Sequence, residues 1–219
     1  MGSRRKPPIK PEQGANLSLP APRVFGGLPT VRPNREIEIK LRVAGARAAR
    51  SLLRTAGFHV RRRRVFEDNA ILDTPDLALR SRGCLLRVRT AGAAATLTYK
   101  GPSSAGRYKS RQELEIAISA PGMAFSIFEN LGFHRVFRYQ KYRTEYSEAS
   151  ARGVVTLDET PVGCFLEIEG APRWIDRTAR KLGFRESDYI RVSYGVLYFQ
   201  FCAERGIKPG DMVFPRSAT

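Results

Sequence analysis

The stretch Arg35-Glu36-Ile37-Glu38-Ile39-Lys40-Leu41 alternates charged and branched apolar residues over the length of a strand. Side chains two apart on a strand share a face, which puts Glu36, Glu38 and Lys40 on one side and Ile37, Ile39 and Leu41 on the other. Two carboxylates beside an ammonium can hold a divalent cation through oxygen and still leave a positive group for an anion. The plainer reading is a half-exposed strand whose charges face water. The recurrence of the pattern weighs against it.

The same parity places Lys109, Arg111, Glu113 and Glu115 on one face, and pairs Glu167 with Glu169, Arg87 with Arg89, Lys141 with Arg143, and Thr156 with Asp158. Thr96, Thr98 and Lys100 form another polar face. Three runs (Glu36–Ile39, Glu113–Ile116 and Glu167–Glu169) each precede a helical stretch that stops at Gly-Phe, at Gly57-Phe58, Gly132-Phe133 and Gly183-Phe184. Glycine after a last helical turn tolerates positive φ, and the next apolar residue packs back on the helix. The predicted helices are Ala44–Ala56, Met123–Leu131, Trp174–Leu182 and Val192–Glu204; further strands read at Cys84–Thr90, Ala95–Lys100, Arg135–Tyr146 and Val154–Asp158. Helices amphipathic enough to cover the apolar strand faces lie between them. The charged faces then look either to water across an open sheet or to one another inside a closed barrel, and parity leaves both open.

Composition bounds the rest. A chain of 219 residues with 42% hydrophobic residues suits one domain with an extension. A formal charge of +17 attracts polyanions without selecting among them. Cys84, Cys164 and Cys202 are far apart and lack CxxC spacing, which argues for a reduced, cytoplasmic protein. Two histidines leave little room for a histidine-based metal site, and no apolar run approaches a membrane span or a secretory signal. Residues 1–34 hold seven prolines and six basic residues against Glu12, so a disordered basic arm is expected there. Nucleic-acid contact by that arm ranks behind a solvated extension. A solvated end is expected from about Pro209, with 207–219 as a C-terminal tail.

The motifs together resemble the CYTH superfamily, the triphosphate tunnel metalloenzymes. Glu36-x-Glu38-x-Lys40 matches its ExExK signature, and the rest follow in order: Leu72-Asp73-Thr74-Pro75-Asp76, Leu86-Arg87-Val88-Arg89, Leu97-Thr98-Tyr99-Lys100-Gly101-Pro102, Lys109-Ser110-Arg111-Gln112-Glu113-Leu114-Glu115, Lys141-Tyr142-Arg143, Leu157-Asp158 and Phe165-Leu166-Glu167-Ile168-Glu169. The resemblance implies a CYTH domain over 35–206: an α+β fold in which a closed eight-stranded antiparallel β-barrel carries helices packed outside and binds a triphosphate with Mg²⁺ or Mn²⁺. It implies Glu36, Glu38, Asp158, Glu167 and Glu169 as metal ligands. Lys40, Arg87, Arg89, Lys100, Arg111, Lys141 and Arg143 become phosphate contacts, with Lys109, Glu113 and Glu115 as additional candidates. Arginine forks fit phosphate oxygens in pairs, and lysine serves as a point charge.

Two activities fit. The motif spelling at Leu97–Pro102 and Lys109–Glu113 is most similar to class IV adenylate cyclases, which convert ATP to cyclic AMP and pyrophosphate. The alternative is a triphosphatase acting on thiamine triphosphate, inorganic triphosphate or a nucleotide. A non-catalytic module for RNA or polyphosphate ranks behind both, because interleaved exposed aromatics are missing. The general base is not identifiable, and a homodimer stays open. The family's C-terminal lysine is absent from Arg191-Val192-Ser193-Tyr194-Gly195, with Arg191 as the stand-in. Plainer roles are expected for His59 and His134 (surface), Cys84 and Cys164 (core thiols), Arg61–Arg64 (a strand face, two exposed and two covered), Trp174 (helix anchor) and Asp73 (a turn before Pro75).

Overall fold

The computed structural model describes residues 34–104, 106–149 and 153–215. Eight strands are interspersed with helices along the chain: β1 (Asn34–Val43), β2 (His59–Asp73), β3 (Leu85–Ala91), β4 (Ala94–Lys100), β5 (Lys109–Ile118), β6 (His134–Ser147), β7 (Val154–Thr160) and β8 (Gly163–Glu169). They close into one barrel in the order β1-β5-β4-β3-β2-β6-β7-β8, every pair antiparallel. Closure answers what parity left open: the charged faces turn inward.

The apolar faces turn outward and are covered. Helices α1 (Ala46–Thr55) and α4 (Pro172–Lys181) lay Ala49, Leu53, Trp174, Ile175 and Ala179 over Ile39, Leu41, Val155, Leu157, Leu166 and Ile168, all buried. Trp174 is the anchor expected of it: Gly153 lies so close that an added Cβ would meet the indole at 2.4 Å. The short α2 (Ala78–Ser81) and α3 (Pro121–Asn130) serve Leu72, Leu86 and Val88 on the opposite side. Cover is uneven there, since α3 buries none of its residues and Met123 and Ile127 stay exposed. Helix α5 (Tyr194–Glu204) crosses one end of the barrel, where Tyr194, Leu197, Phe165, Val162 and Met212 form a third buried cluster.

Gly57, Gly132 and Gly183 stop α1, α3 and α4 with φ of 78°, 85° and 82°. Each following phenylalanine returns its amide to the carbonyl five residues back, at 2.9 Å in all three (Phe58 to Leu53, Phe133 to Phe128, Phe184 to Ala179). Asp73 also takes the plain role. Its carboxylate accepts from the amides of Thr74, Leu79 and Arg80 at 2.8, 2.8 and 2.9 Å, folding Asp73-Thr74-Pro75 onto α2.

Three expectations change. Arg61–Arg64 are all exposed, because β2 slips register against β6 between Val60 and Arg62 and again before Val65, which breaks strict alternation. Cys84 and Cys164 are only half-buried, and Cys202 is the buried thiol; all three are free. The chain beyond Pro209 is docked through Met212, which is fully buried and bridges β6 by its amide to Arg138 and its carbonyl from Gln140, both 2.9 Å. Its thioether belongs to the cluster under α5, so burial outweighs the freedom of a tail. Residues 1–33 of the expected arm lie outside the described residues.

Candidate active site

Inside the barrel the expected residues meet as a nearly continuous circuit of ion pairs. Lys40 bridges Glu38 and Glu167, both at 3.0 Å. Arg143 joins Glu167 to Asp158, and Lys141 reaches Asp158 at 2.8 Å and Glu67 at 3.6 Å. Arg89 connects Glu67 (3.8 Å) to Glu115 (3.1 Å), and Arg87 connects Glu115 (3.5 Å) to Glu113 (3.9 Å). Lys100 links Glu113 (3.2 Å) to Glu36 (2.6 Å), which also has Arg111 at 3.5 Å. Lys109 completes the set at 2.5 Å from Glu38.

Burial is graded along the barrel axis. Side-chain exposure rises from 3% at Lys141 to 16% at Arg143 on β6, and from 10% at Arg87 to 17% at Arg89 on β3. On β5 it rises from 18% at Glu113 to 35% at Glu115. Strand directions make these three gradients point the same way, away from α5. The lumen therefore opens at one end and is shut at the other.

Its electrostatics follow from burial against pairing. Burial opposes ionisation of Glu38, but Lys40, then Lys109 and Lys100, hold its carboxyl well below the usual range. Lys40 stays protonated in spite of burial because Glu167 and Glu38 flank it. Burial and the like charge of Lys40 lower Lys109 to about 8, so of the two lysines serving Glu38 it is the one more readily neutralised. Glu169 has the opposite surroundings. Burial and the neighbouring Glu36 and Glu38 carboxylates push it up to about 7, and among the described ion pairs it takes no part.

That imbalance tests the fit of a divalent cation. Among the described residues no three carboxylates already converge as a ligating group. Glu36, Glu38 and Glu169 nonetheless place mutually repelling oxygen donors on the β1–β8 wall, where Glu38 lies opposite Glu169 in register. An all-oxygen set suits Mg²⁺ or Mn²⁺. Asp158 differs: its two oxygens receive Lys141, Arg143 twice, and the Tyr194 hydroxyl, at 2.6–2.8 Å.

Besides Thr98, already read on a polar strand face, the lumen holds Glu67, Tyr139 and Tyr194, which sequence reasoning passed over. Glu67 is 1% exposed with one oxygen lacking a hydrogen-bond partner; burial would raise its pKa, yet Lys141, Arg143 and Arg89 bring it to about 2. Tyr139 accepts from Arg87 at 3.3 Å, and Thr98 from Arg87 at 3.1 Å. Tyr194 enters from α5. Strand parity from Lys141 would have marked Tyr139, whereas Glu67 sits beside Asp68 and Tyr194 on a helix, where that signal fails. Arg191 is exposed and donates to the Gly106 carbonyl at 3.0 Å, so it does not replace the family's lysine.

The CYTH domain pattern matches residues 34–194, and the chain belongs to that family. It is 28% identical over 134 residues, 61% of this chain and 75% of the other, to a Methanocaldococcus jannaschii protein provisionally named an adenylate cyclase. The fold is shared with a Pyrococcus horikoshii protein at 25% identity and TM-score 0.64, covering 76% of this chain and 99% of that one. A Hippeastrum protein provisionally named an adenylyl cyclase, and described as having a dominant triphosphatase activity, shares the fold at 17% identity and TM-score 0.58, over 80% and 97% of the two chains. No helix among the described residues is long and apolar enough to cross a membrane.

Proposed function

We propose that the barrel binds a triphosphate together with Mg²⁺ or Mn²⁺ and turns it over, with ATP cyclisation as the first reading. The observation that carries this is the convergence of Lys40, Arg87, Arg89, Lys100, Arg111, Lys141 and Arg143 from five strands on one lumen, beside Glu169, which takes no part in the described ion pairs. Seven cations in a confined space suit a chain of phosphates once a metal ion offsets the carboxylates they pair with. Substrate would exchange each internal ion pair for a phosphate contact. Glu36, Glu38 and Glu169 would hold the cation, with Glu167 within reach through the Lys40 bridge. When bound, the metal supplies positive charge to phosphate oxygens and offsets repulsion between substrate and carboxylates.

In cyclisation the ribose 3′-hydroxyl gives its proton to solvent water, its oxygen attacks the α-phosphorus, the bond from that phosphorus to the bridging oxygen breaks, and pyrophosphate departs with the charge. Arginine and lysine groups held in place before reaction stabilise that developing charge without reorganising. With a single open end, the phosphate chain would lie inward and the nucleoside would stay at the mouth. Triphosphate hydrolysis is the second reading, favoured by the activity described for the Hippeastrum relative. Purified protein incubated with ATP and Mg²⁺ or Mn²⁺ decides between them: cyclic AMP plus pyrophosphate supports cyclisation, and ADP or AMP with phosphate supports hydrolysis. No turnover of ATP, inorganic triphosphate or thiamine triphosphate would refute both.

A further inference from the structure

Tyr194 sits where the lumen ends. It is the first residue of α5, fixed by Ser193, whose hydroxyl accepts the Val196 amide at 3.3 Å. Its ring packs edge-on against Phe165 with centroids 5.5 Å apart. Two lysine ammoniums, of Lys40 and Lys141, stand 5.3 and 5.2 Å from that ring's centroid. Its hydroxyl donates to Asp158 at 2.8 Å, and the same carboxylate grips Lys141 and both an ε and an η nitrogen of Arg143. One phenol thus touches two of the innermost cations directly and a third through Asp158.

A carboxylate offers about four lone-pair directions. Of the four donors to Asp158, three crowd onto Oδ2 and one, the Arg143 ε nitrogen, takes Oδ1, and the side chain is fully buried. A metal ion at Oδ2 would have to expel a lysine, an arginine or the tyrosine, and at Oδ1 it would stand against the Arg143 guanidinium. We propose that Tyr194 is a positioning residue which, through its ring and through Asp158, locks Lys40, Lys141 and Arg143 into a rigid cradle for the terminal phosphate, and that Asp158 serves this cradle instead of ligating metal. The proposal rests on the triphosphate reading of the lumen. It separates two kinds of acid in the barrel: those of the β1–β8 wall that meet the cation, and Asp158, which orders the groups that meet the phosphate.

The test uses Tyr194→Phe, Asp158→Asn and Glu169→Gln in the full chain, with melting temperature, calorimetric affinity for inorganic triphosphate, kcat, KM and the Mg²⁺ concentration for half-maximal activity. Tyr194→Phe keeps the floor and removes only the hydroxyl. It is expected to melt within a few degrees of the parent and to lose about tenfold in kcat, about 1.4 kcal/mol, with KM changed less than about threefold. Asp158→Asn is expected to weaken triphosphate binding about tenfold or more at saturating Mg²⁺ while leaving the half-saturating Mg²⁺ concentration within about twofold, whereas Glu169→Gln raises it about tenfold. Parent-like kcat in Tyr194→Phe overturns the cradle, even if Asp158→Asn fails to fold. A half-saturating Mg²⁺ concentration raised as much by Asp158→Asn as by Glu169→Gln overturns the reassignment of Asp158. A parent protein that binds no triphosphate overturns the functional reading itself, a result visible before any variant is made.

Discussion

Replacing Lys40 with methionine removes one charge from the middle of the ion-pair circuit and keeps most of the stem. Lys40 is 2% exposed and bridges two carboxylates at 3.0 Å. Breaking a buried pair by deleting one partner costs about 3–5 kcal/mol. The lower end applies, because Glu38 keeps Lys109 and Glu167 keeps Arg143. At about 2–4 °C per kcal/mol for a chain of this size, about 3 kcal/mol lowers the melting temperature by about 6–12 °C. The assay is thermal unfolding at pH 7 with chelator and with millimolar Mg²⁺. A cation between the carboxylates supplies what Lys40 no longer does, so Mg²⁺ should return at least half of the loss in Lys40→Met and raise the parent less. Glu38 is held below its ordinary value in the fold, so its contribution is present above the unfolded carboxyl value near 4 and is lost as pH falls. The gap between variant and parent should therefore narrow under acid conditions. A variant melting within about 2 °C of the parent at pH 7 would refute the claim that these internal pairs carry stability.

Arg87→Ala and Arg111→Ala should each weaken triphosphate binding about tenfold by calorimetry, near 1.4 kcal/mol, and the double variant should lose less than the sum because both face one ligand. Asp73→Asn should cost about 1–2 kcal/mol in denaturant unfolding by weakening its hold on three amides, with kcat and KM unchanged. Three backbone amides hold Asp73 below its ordinary value against burial, so that cost too should vanish as pH falls below about 4. A protein beginning at Asn34 should keep kcat and KM for ATP; a folded truncation without turnover would show that the arm contributes to the site.

Much of the lumen was legible because charge on a two-residue period is rare enough to notice and survives translation into space without knowing the fold. Lys109 to Glu115 is such a case: one parity, one face, one wall. Barrel closure was not legible from parity, since Glu36 and Glu38 alternate identically on an open sheet. Glu67 escaped because Asp68 beside it is also charged and because the slips in β2 upset the count before it. Tyr194 escaped for a different reason: a helix's first residue points where the helix is docked, and docking depends on Phe165 and Met212, distant in sequence. Asp158 reads from the family resemblance as a metal ligand, but the donors that surround it come from β6 and α5, and only the packed chain shows them together.

The buried cluster of Phe165, Tyr194, Leu197 and Met212 makes the barrel a blind alley. What enters first must leave last. If ATP is cyclised there, the cyclic nucleotide at the mouth departs before the pyrophosphate lying deeper, and the empty protein reappears only when pyrophosphate has gone. Pyrophosphate should then compete with ATP for the same free form, while cyclic AMP should inhibit without being outcompeted by ATP. The packing of four side chains at the inner end would then set the order of traffic for the whole reaction.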